Sequence, residues 1–299
     1  MKTLFVGPNG IRAGWRLLIF FAILAVEFFI AGAILTKLFP QAAAVQRQTT
    51  LFPGTAAAFS GLTFLLVVIA AYVMSKIESR PFGAYGLGTS GTPANDRFGH
   101  GAAAGFISIS LVLFVMFLLH GFRIEGIATH GGQLFAALCA WGAAFVLVGF
   151  SEEFAFRGYV QYTLTTGIGF WAAAVVTSLL FTYAHTRNAG ESPMGIFEVA
   201  LFAIVFCFVL WRTGNLWWGI GYHAAWDFGE TCFYGVPDSG LRPWHPFLAT
   251  SSHGPVWLTG GSVGPEGSVL TIAALVLTAL YVARVYPRKT YSTGIVSTT

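Results

Sequence analysis

The amino-acid sequence predicts an all-α protein, a polytopic transmembrane helical bundle of about eight spans. Two observations carry that expectation. Hydrophobic residues make up 56% of the 299 and charged residues only 9%, whereas a soluble domain is roughly a quarter charged and needs those charges to cover its surface. The apolar residues also gather into segments of about 20, the length of helix that crosses a hydrocarbon core of roughly 30 Å.

The first segment, residues 15–38, follows Lys2, Arg12 and Arg16 as a signal peptide would, but its length and the spans behind it favour a retained transmembrane helix. Segments at 55–75 and 101–120 come next, with Lys76, Arg80 and Arg97 between them. The fourth, 131–150, runs directly into Ser151-Glu152-Glu153, and the fifth, 169–184, closes on Phe181 and His185. The sixth, 194–211, contains Glu198, and the seventh, 217–232, contains His223 and Asp227. The eighth, 268–283, ends before Arg284, Arg288 and Lys289. No internal repeat divides the chain, so residues 1–299 read as a single integral membrane domain. The longest connection, about 233–267, is rich in Gly, Pro, Ser and aromatics, including Trp244-His245-Pro246 and Trp257, and is either a partly ordered cap or a surface loop.

Charge sets the expected orientation. With a cytoplasmic N-terminus, the inside connections hold Lys2, Arg12, Arg16, Lys76, Arg80, Arg97, Arg157, Arg212, Arg284, Arg288 and Lys289. The outside ones hold Lys37, Arg47, Arg123, Arg187 and Arg242. Positive charge concentrates on the cytoplasmic side, so both termini are expected there. The net charge of +4 is small and its Lys and Arg are scattered, which leaves no nucleic-acid footprint. Cys139, Cys207 and Cys232 lie in or beside apolar stretches as small hydrophobes and suggest neither a disulfide framework nor a thiolate metal site.

An ionisable side chain at membrane depth is costly unless it is paired, hydrated or functional. Three segments concentrate such groups. In Ser151-Glu152-Glu153-Phe154-Ala155-Phe156-Arg157, four-residue spacing puts Glu153 and Arg157 on one helical face and turns Glu152 toward something else. Phe181 and His185 close the fifth segment, and the spacing of His223 and Asp227 again puts two polar groups on one face. Each pattern alone has a plain alternative: a salt bridge closing a helix, an interfacial histidine at 185, a satisfied core histidine at 223. Together they supply a base, two imidazoles and a second acid, the inventory for activating water against a carbonyl. Glu27 and Glu198 belong to no such cluster and are expected to serve packing, a partner contact or an interface.

Glu-Glu-x-x-x-Arg at 152, 153 and 157, Phe-x-x-x-His at 181 and 185, and His-x-x-x-Asp at 223 and 227 resemble, in order and separation, the three signatures of the CPBP intramembrane proteases. That family includes the CAAX prenyl endopeptidases and bacteriocin-processing or immunity-associated proteins. The similar core covers about residues 130–232, and Gly14-Trp15-Arg16 also resembles bacterial members. The resemblance implies an endopeptidase in a bacterial cell membrane, acting on a hydrophobic, prenylated or leader-containing peptide. It implies that Glu152 activates water with help from His185, that Glu153 and Arg157 orient it, and that His223 and the residue at 227 stabilise the oxyanion. Many members carry Asn at that last position, where this chain has Asp227.

An ionised Asp227 would repel an oxyanion, so it is expected to orient His223 instead, or to be protonated. No cofactor is predicted. The rival is zinc on Glu152, His185 and His223, a chemically reasonable ligand set without a His-Glu-x-x-His pair. The runners-up are a noncatalytic, immunity-like peptide-binding protein and, behind it, a transporter, for which no repeated halves are found. One conflict stands in the span assignment. With straight helices Glu152 falls near the inner end of the fourth span and His185 near the outer end of the fifth, about 24 Å apart. Shared catalysis requires the fourth span to run on, tilt or break between about 145 and 166, or the fifth to start later, with Gly158, Gly167 and Gly169 as places where this can happen.

Overall fold

A computed structural model describes residues 5–7, 10–40, 49–88, 94–186, 188, 192–288 and 290–293. Lys2, Arg47, Arg187 and Lys289, counted above in the charge balance, lie outside the described residues. The helices are α1 (Ala13–Leu38), α2 (Pro53–Ile77), α3 (Ala94–Leu118), α4 (Gly131–Arg157), α5 (Tyr159–Ile168), α6 (Phe170–His185), α7 (Pro193–Thr213), α8 (Trp217–Asp227) and α9 (Val269–Val285). The short strands are β1 (Val6–Gly7), β2 (Gly10–Ile11), β3 (Thr50–Leu51), β4 (Phe122–Ile127), β5 (Arg242–Pro243) and β6 (Leu248–Ser252). The protein is an all-α polytopic bundle. Among the described residues, α1, α2, α3 from Asp96, the run Gly131–Ile168 and α7 are long and apolar enough to cross a membrane, while α6 and α9 are apolar but shorter. Of α1 only Arg16 and Phe20 are buried, and Phe21, Phe29 and Leu38 stand exposed, a surface suited to hydrocarbon rather than water.

The fourth segment is longer than its apolarity suggests. Helix α4 continues through Ser151–Arg157 and stops at Gly158, whose φ of −81° and ψ of −114° leave the helical region. The chain resumes as α5 and turns at Gly169, with φ of 81°, into α6. Glu152 is therefore inside a helix and not at its end. The helical path from Glu152 to Ile168 is about 24 Å at 1.5 Å per residue, and the return along α6 is about the same, which brings His185 back to the level of Glu152. The conflict in the span assignment disappears because polar residues ended the apolar run without ending the helix.

Helices α3 and α8 approach backbone to backbone. A Cβ added at Gly101 would lie 2.0 Å from the Trp218 carbonyl oxygen, one at Gly105 2.2 Å from that of Tyr222, and one at Gly221 2.2 Å from that of Phe98. Small residues four apart permit this in apolar helices. The face of α8 beside them carries Trp218, Tyr222 and Trp226 in a stacked column, with centroids 5.5 and 6.0 Å apart. These rings pack with Ile109, Leu113 and Leu275 in one core cluster, so α8 is fixed on both sides. A second cluster joins Phe20, Ala70, Met74, Tyr159 and Tyr162. Beside it Glu78 accepts from Arg16 at 2.7 Å and from the Tyr159 hydroxyl at 2.6 Å, tying α1 and α5 to the end of α2.

The connection between α8 and α9 is folded against the bundle. Strand β6 pairs antiparallel with β4, and β5 runs parallel to β3. Helix α8 passes into a wide π-type turn, Phe228–Phe233. At Gly264, with φ of 102°, an added Cβ would lie 2.1 Å from the Pro237 carbonyl oxygen, so only glycine lets the turn Pro265–Gly267 close on residue 237.

Candidate active site

Three helices supply the candidate residues. On α4, Glu153 and Arg157 are fully buried and meet as the four-residue spacing predicts, Arg157 Nη1 donating to Glu153 Oε1 at 2.8 Å. The guanidinium also donates to the Ala203 carbonyl of α7 at 3.3 Å and lies 4.7 Å from the Phe181 ring centroid. This aromatic enclosure excludes water, and the pair compensates charge where solvent cannot. Glu152, one residue earlier, faces a cavity of about 310 Å³ and is its most accessible acid among these groups, with 30% of its side chain exposed.

Each histidine has one nitrogen occupied. His185 Nδ1 lies 2.8 Å from the Phe181 carbonyl oxygen one turn earlier, so it donates there and leaves Nε2 for the cavity. His223 Nδ1 lies 3.1 Å from Glu153 Oε1. The Nε2 atoms of both rings are 3.7 Å from Glu152 Oε2. That separation is too long for a direct hydrogen bond, and all three groups border one space in which a water can contact them. The His223 backbone is held near α4 by a direct approach, a Cβ added at Gly149 lying 2.9 Å from the Ile220 carbonyl oxygen, with the α3–α8 glycine contact behind it.

Asp227 differs from the expectation. It lies on the same face as His223, but its Oδ2 is 3.7 Å from His223 Nε2 and makes no hydrogen bond with it. Glu153, expected to orient Glu152, has its contact with His223, whose Nδ1 lies 3.1 Å from Oε1. The reason is that Nδ1 points toward α4 and Nε2 toward the cavity, where Asp227 also lies. The suggested zinc set also differs from the tightest cluster of ligand-type groups. Among the described residues, the group whose ligand atoms all lie within 4.8 Å of one another is Glu230, Asp238 and Glu266.

The opposite wall of the cavity carries groups with no local motif in the sequence. Asp238, Ser239 and Glu266 come from the α8–α9 connection and Glu198 from α7. Glu198, expected to serve packing, a partner contact or an interface, is buried and lines the cavity. Burial pushes the Asp238 carboxyl up to about 6, with Glu152 adding to it, and the Glu266 carboxyl up to about 7, with Asp238 adding to it. Residues this far apart in the chain show no periodicity to read, and only the charge on an otherwise apolar background marks them.

Residues 133–229 match the family model described as type II CAAX prenyl endopeptidase Rce1-like. This core is similar to the CAAX proteases over about a third of the chain. The matched stretch contains all six candidate residues, from Glu152 on α4 to Asp227 on α8, and leaves Asp238 and Glu266 outside it. No curated protein matches the chain closely enough to count as a relative.

Proposed function

We propose that this CAAX-type membrane protease hydrolyses peptide bonds with water activated by Glu152. The observation that carries this is the approach of Glu152 Oε2 to within 3.7 Å of both His185 Nε2 and His223 Nε2, at the wall of a cavity enclosed by apolar helices. A water between Glu152 and His185 loses its proton to the carboxylate as its oxygen attacks the scissile carbonyl. His223 faces the developing oxyanion through Nε2. Because Glu153 holds the Nδ1 hydrogen, a donor at Nε2 requires the doubly protonated ring, whose charge faces Glu152 and Asp227. Glu152 then delivers its proton to the leaving amine, and the carbon–nitrogen bond breaks. Asp227, 3.7 Å from Nε2, contributes by electrostatic attraction to the charged His223 ring, a role open to a carboxylate and unlike that of an Asn donor.

The scheme needs no metal, and zinc on Glu152, His185 and His223 is its mechanistic rival. The substrate is a hydrophobic, prenylated or leader-containing peptide. Its apolar part faces Leu51, Ala56, Phe59, Phe145 and Val148, which line the cavity on the side of α2 and α4. The resemblance to compact bacterial members favours a bacterial plasma membrane, and the charge balance of the connections favours cytoplasmic placement of both termini.

The deciding experiment incubates purified wild-type and Glu152→Gln protein with a library of membrane peptides and maps cleavage sites by mass spectrometry. Cleavage by wild type and none by the variant, with matched thermal unfolding, is expected. Equal cleavage by both removes Glu152 from the mechanism.

A further inference from the structure

We propose that Glu230, Asp238 and Glu266 form a binding site for a hard divalent cation, Ca²⁺, which ties the turn after α8 to the start of α9. Their ligand oxygens all lie within 4.8 Å of one another, a span that a cation with metal–oxygen bonds of about 2.3–2.6 Å can bridge. Among the described residues no Lys, Arg or His lies within ion-pair distance of any of the three; the cationic groups that act on them, His223 on Asp238 and His185 on Glu266, do so from across the cavity.

Each carboxylate has one oxygen held by a protein donor. The Trp226 indole N–H donates to Glu230 Oε2 at 2.9 Å and the Thr231 hydroxyl to Asp238 Oδ2 at 2.9 Å. The Ser239 amide and hydroxyl donate to Glu266 Oε2 at 2.9 and 2.8 Å. Donors on ligating carboxylates fix their orientation in this way. Glu230 itself is fully buried, yet its Oε1 has no hydrogen-bond partner. A buried carboxylate oxygen left bare costs free energy and calls for an ion, a proton or a water. The crowding of two further carboxylates favours the ion.

Asp238 and Glu266 also line the catalytic cavity, which gives the cation a path from outside. An all-carboxylate set without His or Cys suits a hard cation better than zinc, and carboxylates drawn from a loop, a short turn and a helix end suit the irregular coordination that Ca²⁺ accepts and Mg²⁺ resists. The bound ion would cross-link residue 230, three positions after Asp227, to 238 and 266. It would thereby hold α8, and His223 with it, against the α9 side of the cavity.

The test uses full-length protein in detergent, stripped with EDTA and titrated with CaCl₂, MgCl₂ or MnCl₂. Calorimetry reads binding and tryptophan fluorescence reads thermal unfolding. One equivalent of Ca²⁺ with a Kd on the order of 10⁻⁴ to 10⁻³ M, and a Tm that rises with its concentration, is expected. Glu230→Gln and Asp238→Asn should weaken binding at least about tenfold and remove the Tm gain, as loss of a ligand does. Should Glu230→Gln fail to fold, the half-buried Asp238→Asn decides alone. Glu152→Gln should bind Ca²⁺ like wild type, so failure of the proteolytic scheme leaves this result standing. No binding up to roughly 10 mM, a response to Mg²⁺ alone, or an undiminished Tm gain in Asp238→Asn overturns the proposal.

Discussion

Glu153 and His223 share one contact that organises the site: Nδ1 of the ring lies 3.1 Å from the same carboxylate oxygen, Oε1, that takes the Arg157 guanidinium at 2.8 Å. One buried acid thus balances a buried cation and fixes which nitrogen of His223 faces the cavity.

Glu153→Gln separates these two duties. The amide oxygen can still accept from Nδ1, but the Arg157 charge is left uncompensated in a dry site, which costs about 3–5 kcal/mol. Thermal unfolding in detergent should show that loss, together with a fall of about 100-fold or more in cleavage of a single peptide, since an orienting carboxylate matters on that scale. An unchanged Tm would mean that the pair does not carry the charge balance.

His223→Ala and Asp227→Asn should behave differently. Removing the imidazole deletes a principal transition-state contact and should lower the rate roughly 100-fold. Asp227→Asn keeps a polar group 3.7 Å from Nε2 and should retain appreciable activity with a changed pH profile. Initial rates across pH, on variants shown to be folded and membrane-inserted, compare them. Full activity in His223→Ala would remove that ring from the chemistry.

Gly105→Ala tests the positioning of α8 without touching the cavity. Its Cβ would stand 2.2 Å from the Tyr222 carbonyl oxygen, so the helices must separate. The overpacking cost is about 3 kcal/mol. Reduced Tm and reduced cleavage are expected together, because His223 follows Tyr222 directly. A variant as active and stable as wild type would show that the α3–α8 contact does not set the site.

Zinc is tested by elemental analysis of purified protein treated with a zinc-selective chelator in buffer containing calcium. Activity should survive with less than stoichiometric zinc. Stoichiometric zinc, with activity lost on chelation and restored only by readdition, would sink the metal-free scheme and favour the set Glu152, His185 and His223.

Much of this protein is written in local sequence. Apolar runs and the scarcity of charge determine a membrane helical bundle, since both follow from composition over about 20 residues at a time. The Glu153–Arg157 pair follows from helical spacing alone. Hydropathy did not place the end of α4, because it registers polarity and a helix is limited by backbone geometry; the polar run Ser151–Arg157 stays helical until Gly158, one of the three glycines at which the sequence allowed a break, leaves the helical region. Tertiary structure decided the partner of His223, which is Glu153, 70 residues away, and not Asp227, four away. Spacing can put two side chains on one face, but which nitrogen of a ring meets which acid depends on the angle between helices. That angle rests on contacts such as Gly149 against Ile220 and Gly105 against Tyr222, and a loop contact of the same kind, Gly264 against Pro237, folds the connection that carries Asp238 and Glu266; in each a missing side chain lets two backbones touch.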